Sequence, residues 1–299
     1  MARSETTGKG KQPGYRGRIA PSPTGLLHLG HARTFWTAHE RARAAGGTLI
    51  VRNEDLDPER SKPEYAAAML EDLCWLGIAW DEGPDIGGPV GPYAQSERRA
   101  FYLDVWHGLL AGGWLYPCRC SRRELSRIAQ APHDHPNGIR MESDEGPMYP
   151  GTCRLERGAA ARLAAQVTDP AGVNWRFRVP DGEAVTFDDG HFGPQRFVAG
   201  EDFGDFAVWR RDDVPAYQLA VVADDRAMRV TEVVRGADLL LSTARQILLW
   251  RAMGWAVPRW FHCDLVTDAR GERLAKRHDA QAIRTLREQG WTPERVQVG

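Results

Sequence analysis

His28 and His31 stand three residues apart, directly after the turn-rich run Pro21-Ser22-Pro23-Thr24-Gly25. Two imidazoles at that spacing share one side of a helix's first turn. From there they can donate hydrogen bonds to phosphate oxygens as charge builds during displacement at phosphorus. The loop suits the same chemistry. A strand that passes through a proline- and glycine-shaped turn into a helix gathers backbone N–H groups and the positive helix end at one point, a ready anion site. Gly25 and Gly30 let backbone approach a ligand where a side chain would block it. Taken alone, a His-x-x-His pair after a turn is also what an ordinary protein surface carries.

A second set of reactive residues clusters in the middle of the chain. Cys118 and Cys120 lie in YPCRCSRRE, and Cys153 follows in MYPGTC. The region from 112 to about 165 has little apolar periodicity and much Cys, Pro, Gly and His, so something other than a core must hold it. The chain has 5 cysteines, and an odd number without a secretion signal argues against a disulfide framework. Cys74 and Cys263 read as packing residues. Three thiols offer soft ligands to zinc, which takes four. General zinc chemistry would complete the set with His133 or His135. Tyr149 is the unusual candidate, and three buried cysteines without metal is the bland one.

The elements that position these residues follow from local signals. YRGRIA reads as a strand, and the helix after the loop runs from about Leu29 to Ala45, ending at Gly46-Gly47. TLIVRNE is the next strand. Ser61 opens a helix to Leu76, with Glu64 at capping-box spacing and Pro63 in the first turn. Another helix spans about Glu97 to Ala111. FAVWRR, YQLAVVAD and RVTEVVR read as shorter strands, followed by a helix from after Ser242 to about Met253. Strand, helix, strand, helix is the order of a parallel sheet with crossover helices.

The chain of 299 residues is 42% apolar and 26% charged with a net charge of −1. It is therefore no polycation, and RNA contacts would have to be local. No apolar run approaches the ~20 residues of a membrane span, and the polar, basic N-terminus lacks a secretion signal. A cytoplasmic protein is expected, with residues 1–13 as a flexible lead-in.

The stretch RIAPSPTGLLHLGHAR, residues 18–33, resembles the HIGH element of class I aminoacyl-tRNA synthetases, in the form found in the glutamyl and glutaminyl branch. RLAKRHDA, residues 273–280, is similar to the KMSKS loop of the same class, with Ala275 where serine is common. The resemblance implies that Pro23, Thr24, Gly25, His28, Gly30, His31, Lys276 and Arg277 bind ATP. His28, His31 and Lys276 would stabilise the departing pyrophosphate. It implies a glutamate pocket of Arg18, Ile19, Ala20, Pro21, Ser22, Glu54, Tyr217 and Arg235. The types fit, since arginine recognises carboxylates with a planar fork and a carboxylate suits an ammonium. Cys118, Cys120, Tyr149 and Cys153 match the zinc site of a short paralogue family, the glutamyl-Q tRNA(Asp) synthetases, which favours Tyr149 over the histidines.

The expectation is an α/β, Rossmann-like nucleotide-binding fold with a zinc-bearing insertion and a short helical C-terminal segment. The catalytic domain would occupy 14–111 and 166–255, the insertion 112–165, and the KMSKS-like loop and last helix 256–299, with no anticodon-binding domain. The resemblance implies activation of L-glutamate with ATP and Mg²⁺, without tRNA, and transfer to queuosine in the anticodon stem-loop of tRNA(Asp), by a monomer with one structural Zn²⁺. Trp114, Tyr116 and Trp209 are either stacking platforms for RNA or packing residues. A truncated conventional glutamyl-tRNA synthetase, a glutamate or adenylate sensor, and a simple nucleotidyltransferase are the other readings.

Overall fold

A computed structural model describes residues 14–121, 148–164, 166–266 and 282–298. Its first unit is a parallel pair, β1 (Arg16–Ile19) and β2 (Thr48–Val51), joined by helix α1 (Leu29–Ala44). Leu29, Ala32, Phe35, Ala38 and Ala42 are the buried stripe of α1, three or four residues apart. The helix stops in a Schellman motif. Gly46 takes a φ of +57°, and the N–H groups of Gly46 and Gly47 donate to the carbonyls of Arg43 and Ala42.

Helix α2 (Pro63–Trp75) and helix α3 (Arg99–Ala111, after a 3₁₀ turn at Gln95–Glu97) lead to β3 (Leu115–Cys118). After helix α4 (Arg157–Ala164), β4 (Asn174–Phe177) pairs antiparallel with both β3 and β7 (Phe206–Trp209). Between β4 and β7 lies a hairpin of β5 (Ala184–Asp189) and β6 (Gly193–Val198). Helix α5 (Tyr217–Ala227), strand β8 (Glu232–Gly236), helix α6 (Leu240–Ala252) and strand β9 (Arg259–Cys263) follow. β8 and β9 are parallel, and β5 joins β9 in the order β6-β5-β9-β8. β8 also lies beside β1, where the Thr231 N–H donates to the Arg16 carbonyl at 2.9 Å. Helices α7 (Ile283–Glu288) and α8 (Pro293–Val298) complete the described chain.

Side chains alternate across these strands, so the parallel strands bury both faces. Ile19, Leu49, Val51 and Val234 pack with α1, α2, α7 and α8. Ile50 and Val233 point the other way, into a core with Trp106, Leu219, Val222 and Ile247 from α3, α5 and α6. This is a doubly wound, Rossmann-like arrangement. Each such buried aliphatic contributes roughly 1.5–3 kcal/mol, and the alternation fixes which residues face the site.

Four expectations are corrected. YQLAVVAD is the helix α5, not a strand. Gln218 to Asp225 are all buried, so the run shows no helical periodicity to read. The N-cap of α2 is Lys62, and no capping box forms at Ser61, whose Oγ is buried without a hydrogen-bond partner among the described residues. Cys74 is exposed. Tyr116 and Trp209 are core residues at 1% and 0% exposure, which removes them as stacking platforms. Trp114 is half-buried and stacks on Phe177 with centroids 5.5 Å apart.

Candidate active site

The loop after β1 is tied down from both sides. The N–H groups of Arg52, Glu54 and Lys62 donate to the carbonyls of Ile19, Pro21 and Pro23 at 2.9, 3.0 and 3.0 Å. Ser22 and Thr24 are left exposed, and a Cβ on Gly25 would meet nothing within 4 Å among the described residues. His28 is the N-cap of α1, and its ring stacks on His31 with centroids 3.7 Å apart. The His28 N–H donates to His31 Nδ1 at 3.3 Å. In the neutral ring this leaves the His31 proton on Nε2. Gly30 is what permits the stack, since a Cβ there would come within 3.2 Å of the His28 ring.

Lys276 and Arg277 lie outside the described residues, but both ends of their segment are fixed at this helix start. Ala282 makes an antiparallel bridge to His28, and the Ile283 N–H donates to Leu27 O at 2.8 Å. On the other side Val266 belongs to the same apolar cluster as Leu27 and Leu29.

Arg18, Arg52 and Glu54 share with Ile50 the face of the sheet that meets α5, and there the three charged residues enter a buried ionic network. Arg18 Nε donates to Asp225 at 3.2 Å, and its Nη1 to Val234 O at 3.1 Å. Arg52, wholly buried, reaches Asp225 at 2.7 Å and Glu54 at 2.8 Å. Asp224 accepts from Arg98 Nε at 2.6 Å, Gln95 at 2.7 Å and Tyr102 at 3.1 Å. Burial resists ionisation of Asp225, but Arg18 and Arg52 outweigh it and hold its carboxyl below the usual range. At Glu54 burial wins, and its carboxyl is pushed up against the pull of Arg52.

Arg235, near the end of β8, is buried at 5% exposure. It donates to His262 Nε2 at 3.1 Å, Gln246 Oε1 at 2.9 Å, Thr243 Oγ1 at 2.7 Å and the Leu239 carbonyl at 3.3 Å. Tyr217 opens α5 as an electrostatic neighbour of Arg235, Arg18 and Glu54, and burial raises its phenol pKa. Arg18, Glu54, Tyr217 and Arg235 are thus brought together. Ile19 is not, because its side chain turns to the opposite core; only its carbonyl ties the loop to β2. Sequence reasoning missed Arg52, Arg98, Asp224, Asp225 and His262. The available signal was Asp224-Asp225 at the end of an apolar run, where paired acids demand buried cations.

At the end of β3, the Sγ atoms of Cys118, Cys120 and Cys153 all lie within 4.8 Å of one another. The Tyr149 hydroxyl is 3.5 Å from Cys118 Sγ and 3.7 Å from Cys120 Sγ, and it accepts the Cys153 N–H at 2.7 Å. A tetrahedral zinc with ~2.3 Å thiolate bonds spaces its sulfurs by about 3.8 Å, so this donor set is compatible with zinc. The apolar support is small, with Tyr116, Cys118 and Tyr149 as its buried members. His133 and His135 lie outside the described residues.

A phosphate-ready helix start, a buried guanidinium pocket at the strand ends and a thiol cluster define a nucleotide-using α/β enzyme site. The chain belongs to the family of class I tRNA synthetases (E and Q), catalytic domain, which it matches over residues 15–298. Within that family it is 51% identical to the glutamyl-Q tRNA(Asp) synthetase of Nitratidesulfovibrio vulgaris over 92% of this chain and 82% of that protein. The glutamyl-Q tRNA(Asp) synthetase of Symbiobacterium thermophilum is also 51% identical, over 94% and 83%. A glutamate–tRNA ligase of Nitrosococcus oceani is 43% identical over 93% of this chain but only 56% of the ligase. The crystal structure of a glutamate tRNA ligase from Elizabethkingia meningosepticum in complex with its amino acid superposes with a TM-score of 0.73 at 31% identity, covering 88% of this chain and 52% of that one. Among the described residues, no helix is long and apolar enough to cross a membrane.

Proposed function

We propose that the protein activates L-glutamate with ATP, without tRNA, and passes the glutamyl group to queuosine in the anticodon stem-loop of tRNA(Asp). The observation that carries this reading is the meeting of Arg18, Glu54, Tyr217 and Arg235 at the strand ends, in the same sheet that feeds the His28–His31 helix start.

In the first step a glutamate carboxylate oxygen attacks the α-phosphorus of ATP, and the bond to pyrophosphate breaks. Ser22 and the backbone of residues 18–22 line the amino acid, Arg18 and Arg235 face its carboxylates, and Glu54 receives its ammonium. Pro23, Thr24, Gly25 and Gly30 shape the phosphate site. His28 and His31 donate to phosphate oxygens, and Lys276 with Arg277 neutralises the leaving pyrophosphate. Mg²⁺ arrives with ATP and offsets phosphate charge. In the second step a hydroxyl of the modified base attacks the glutamyl carbonyl and AMP leaves. The protein mainly positions groups and stabilises charge.

Cys118, Cys120, Tyr149 and Cys153 would hold one structural Zn²⁺ within the segment 112–165, between catalytic halves at 14–111 and 166–255. A cytoplasmic monomer fits this reading. The test is glutamate-dependent ATP–pyrophosphate exchange, then transfer of labelled glutamate to tRNA with periodate-oxidised 3′ ends. Label on queuosine-containing tRNA(Asp), and none on tRNA lacking queuosine, is the expected outcome. Label that requires the intact terminal ribose would assign conventional 3′-end charging instead.

A further inference from the structure

The four buried arginines around the pocket are not held alike. Arg18, Arg52 and Arg98 each touch a carboxylate, at 3.2, 2.7 and 2.6 Å. Those three cations are matched by Glu54, Asp224 and Asp225. Arg235 has no carboxylate oxygen within 4.0 Å among the described residues, and its acceptors on His262, Gln246, Thr243 and Leu239, like the neighbouring Tyr217 hydroxyl, are neutral. A buried guanidinium whose donors are satisfied but whose charge is not matched is primed for an anionic ligand.

What fixes the tautomer of the acceptor at its Nε is a pairing 73 residues apart in sequence. Asp189, at the end of β5, accepts the His262 Nδ1–H at 2.6 Å and the backbone N–H groups of His191 and Phe192 at 3.0 Å each. These donors hold Asp189 ionised. The His262 proton is therefore fixed on Nδ1, and Nε2 presents a lone pair to Arg235. Protonation at Nε2 would set two donors against each other. Burial and the Arg235 charge keep the ring neutral, lowering its pKa to about 4. The imidazole thus works as a spacer. Asp189 fixes where Arg235 points without cancelling its charge, as it would if carboxylate and guanidinium touched.

We propose that the Asp189–His262 pair is a positioning device for substrate selection: it aims Arg235 into the pocket through a neutral acceptor, leaving the guanidinium charge for a carboxylate of the amino acid. This rests on the assignment of Arg235 to glutamate under the proposed function. His262 does not touch substrate; it acts through Arg235.

The test is steady-state pyrophosphate exchange with His262→Ala, His262→Gln and His262→Glu. Glutamine at 262 returns a neutral acceptor near the Nε2 position, whereas glutamate there brings a carboxylate onto Arg235. Loss of a hydrogen bond to a charged group predicts that alanine raises KM for glutamate by about tenfold or more, with KM for ATP unchanged. The glutamine variant returns it to within about threefold of the parent, and the glutamate variant is worse than alanine. Equal changes in both KM values, no change in either, or equal behaviour of the glutamine and glutamate variants overturns the proposal. ¹⁵N shifts of the His262 ring in the unaltered protein supply a readout that needs no variant to fold. They should report a neutral ring protonated on Nδ1, and a proton on Nε2 overturns the proposal. If the parent protein shows no glutamate-dependent exchange, the functional reading itself fails. If Arg235→Ala loses glutamate while the 262 variants do not, only this inference fails.

Discussion

Asp224 and Asp72 are both fully buried, on opposite faces of the same parallel sheet. On the face that meets α5, Asp224 is surrounded by donors from Arg98, Gln95 and Tyr102. On the face covered by α2 and the last two helices, neither oxygen of Asp72 has a hydrogen-bond partner among the described residues, and the Arg284 Nε stands off at 3.8 Å. On one face Arg18, Arg52 and Arg98 are matched by acids, and Arg235 is left to give the pocket its charge. The other is an apolar layer carrying one ill-satisfied acid. Burial of an ion is costly in either case, and the surroundings decide whether it is offset.

Three measurements would break or sharpen that contrast. The largest effect should come from Asp224→Ala, which takes from the buried Arg98 its carboxylate partner and should cost about 3–5 kcal/mol in chemical denaturation. A loss below ~1 kcal/mol would mean that the ions on the pocket face are not coupled.

Asp72 should show the opposite sign. Burial raises its pKa from 3.8 to about 6, with Arg284 pulling down and Glu71 pushing up. The folded chain holds the proton more tightly than the unfolded one, so this group lowers stability as pH climbs from about 4 to 6. Asp72→Asn should remove that slope and stabilise the protein at pH 7 by ~1–3 kcal/mol. Unchanged pH dependence would show that Arg284 already satisfies the acid.

An effect of similar size belongs to His262, again on the pocket side. Its pKa is lowered from 6.5 to about 4, chiefly by burial and then by Arg235. Here the unfolded chain binds the extra proton, so stability rises with pH between about 4 and 6.5. His262→Gln should flatten that rise, seen as a denaturation midpoint that no longer climbs across the window.

Legibility in the sequence followed the range of the interaction. The loop from Pro21 to Gly25, the helix behind His28 and the Gly46 stop are written in adjacent residues, and the structure has them. The capping box expected at Ser61 failed because Lys62 is the N-cap, a shift of one residue that spacing alone does not decide. Helix α5 was misread because it is buried all round. The pairing of Asp189 with His262 spans 73 positions, and no local pattern in the hairpin or in β9 announces it. Arg18 and Glu54 read as the ends of strands, but Arg52, which links Glu54 to Arg18's partner Asp225, is by local pattern one more residue of the TLIVRNE run.

The bridge between Ala282 and His28 has a further consequence. With Val266 packed in the cluster around Leu27 and Ala282 bonded at the helix start, the chain between them is a closed tether. Residue 276 is six positions from Ala282, so chain length alone bounds its Cα to within roughly 20–22 Å of the Ala282 Cα. Under the proposed function, that bound makes the meeting of lysine and phosphate intramolecular. Its local concentration is then on the order of millimolar, set by tether length, whatever the amount of protein in the cell.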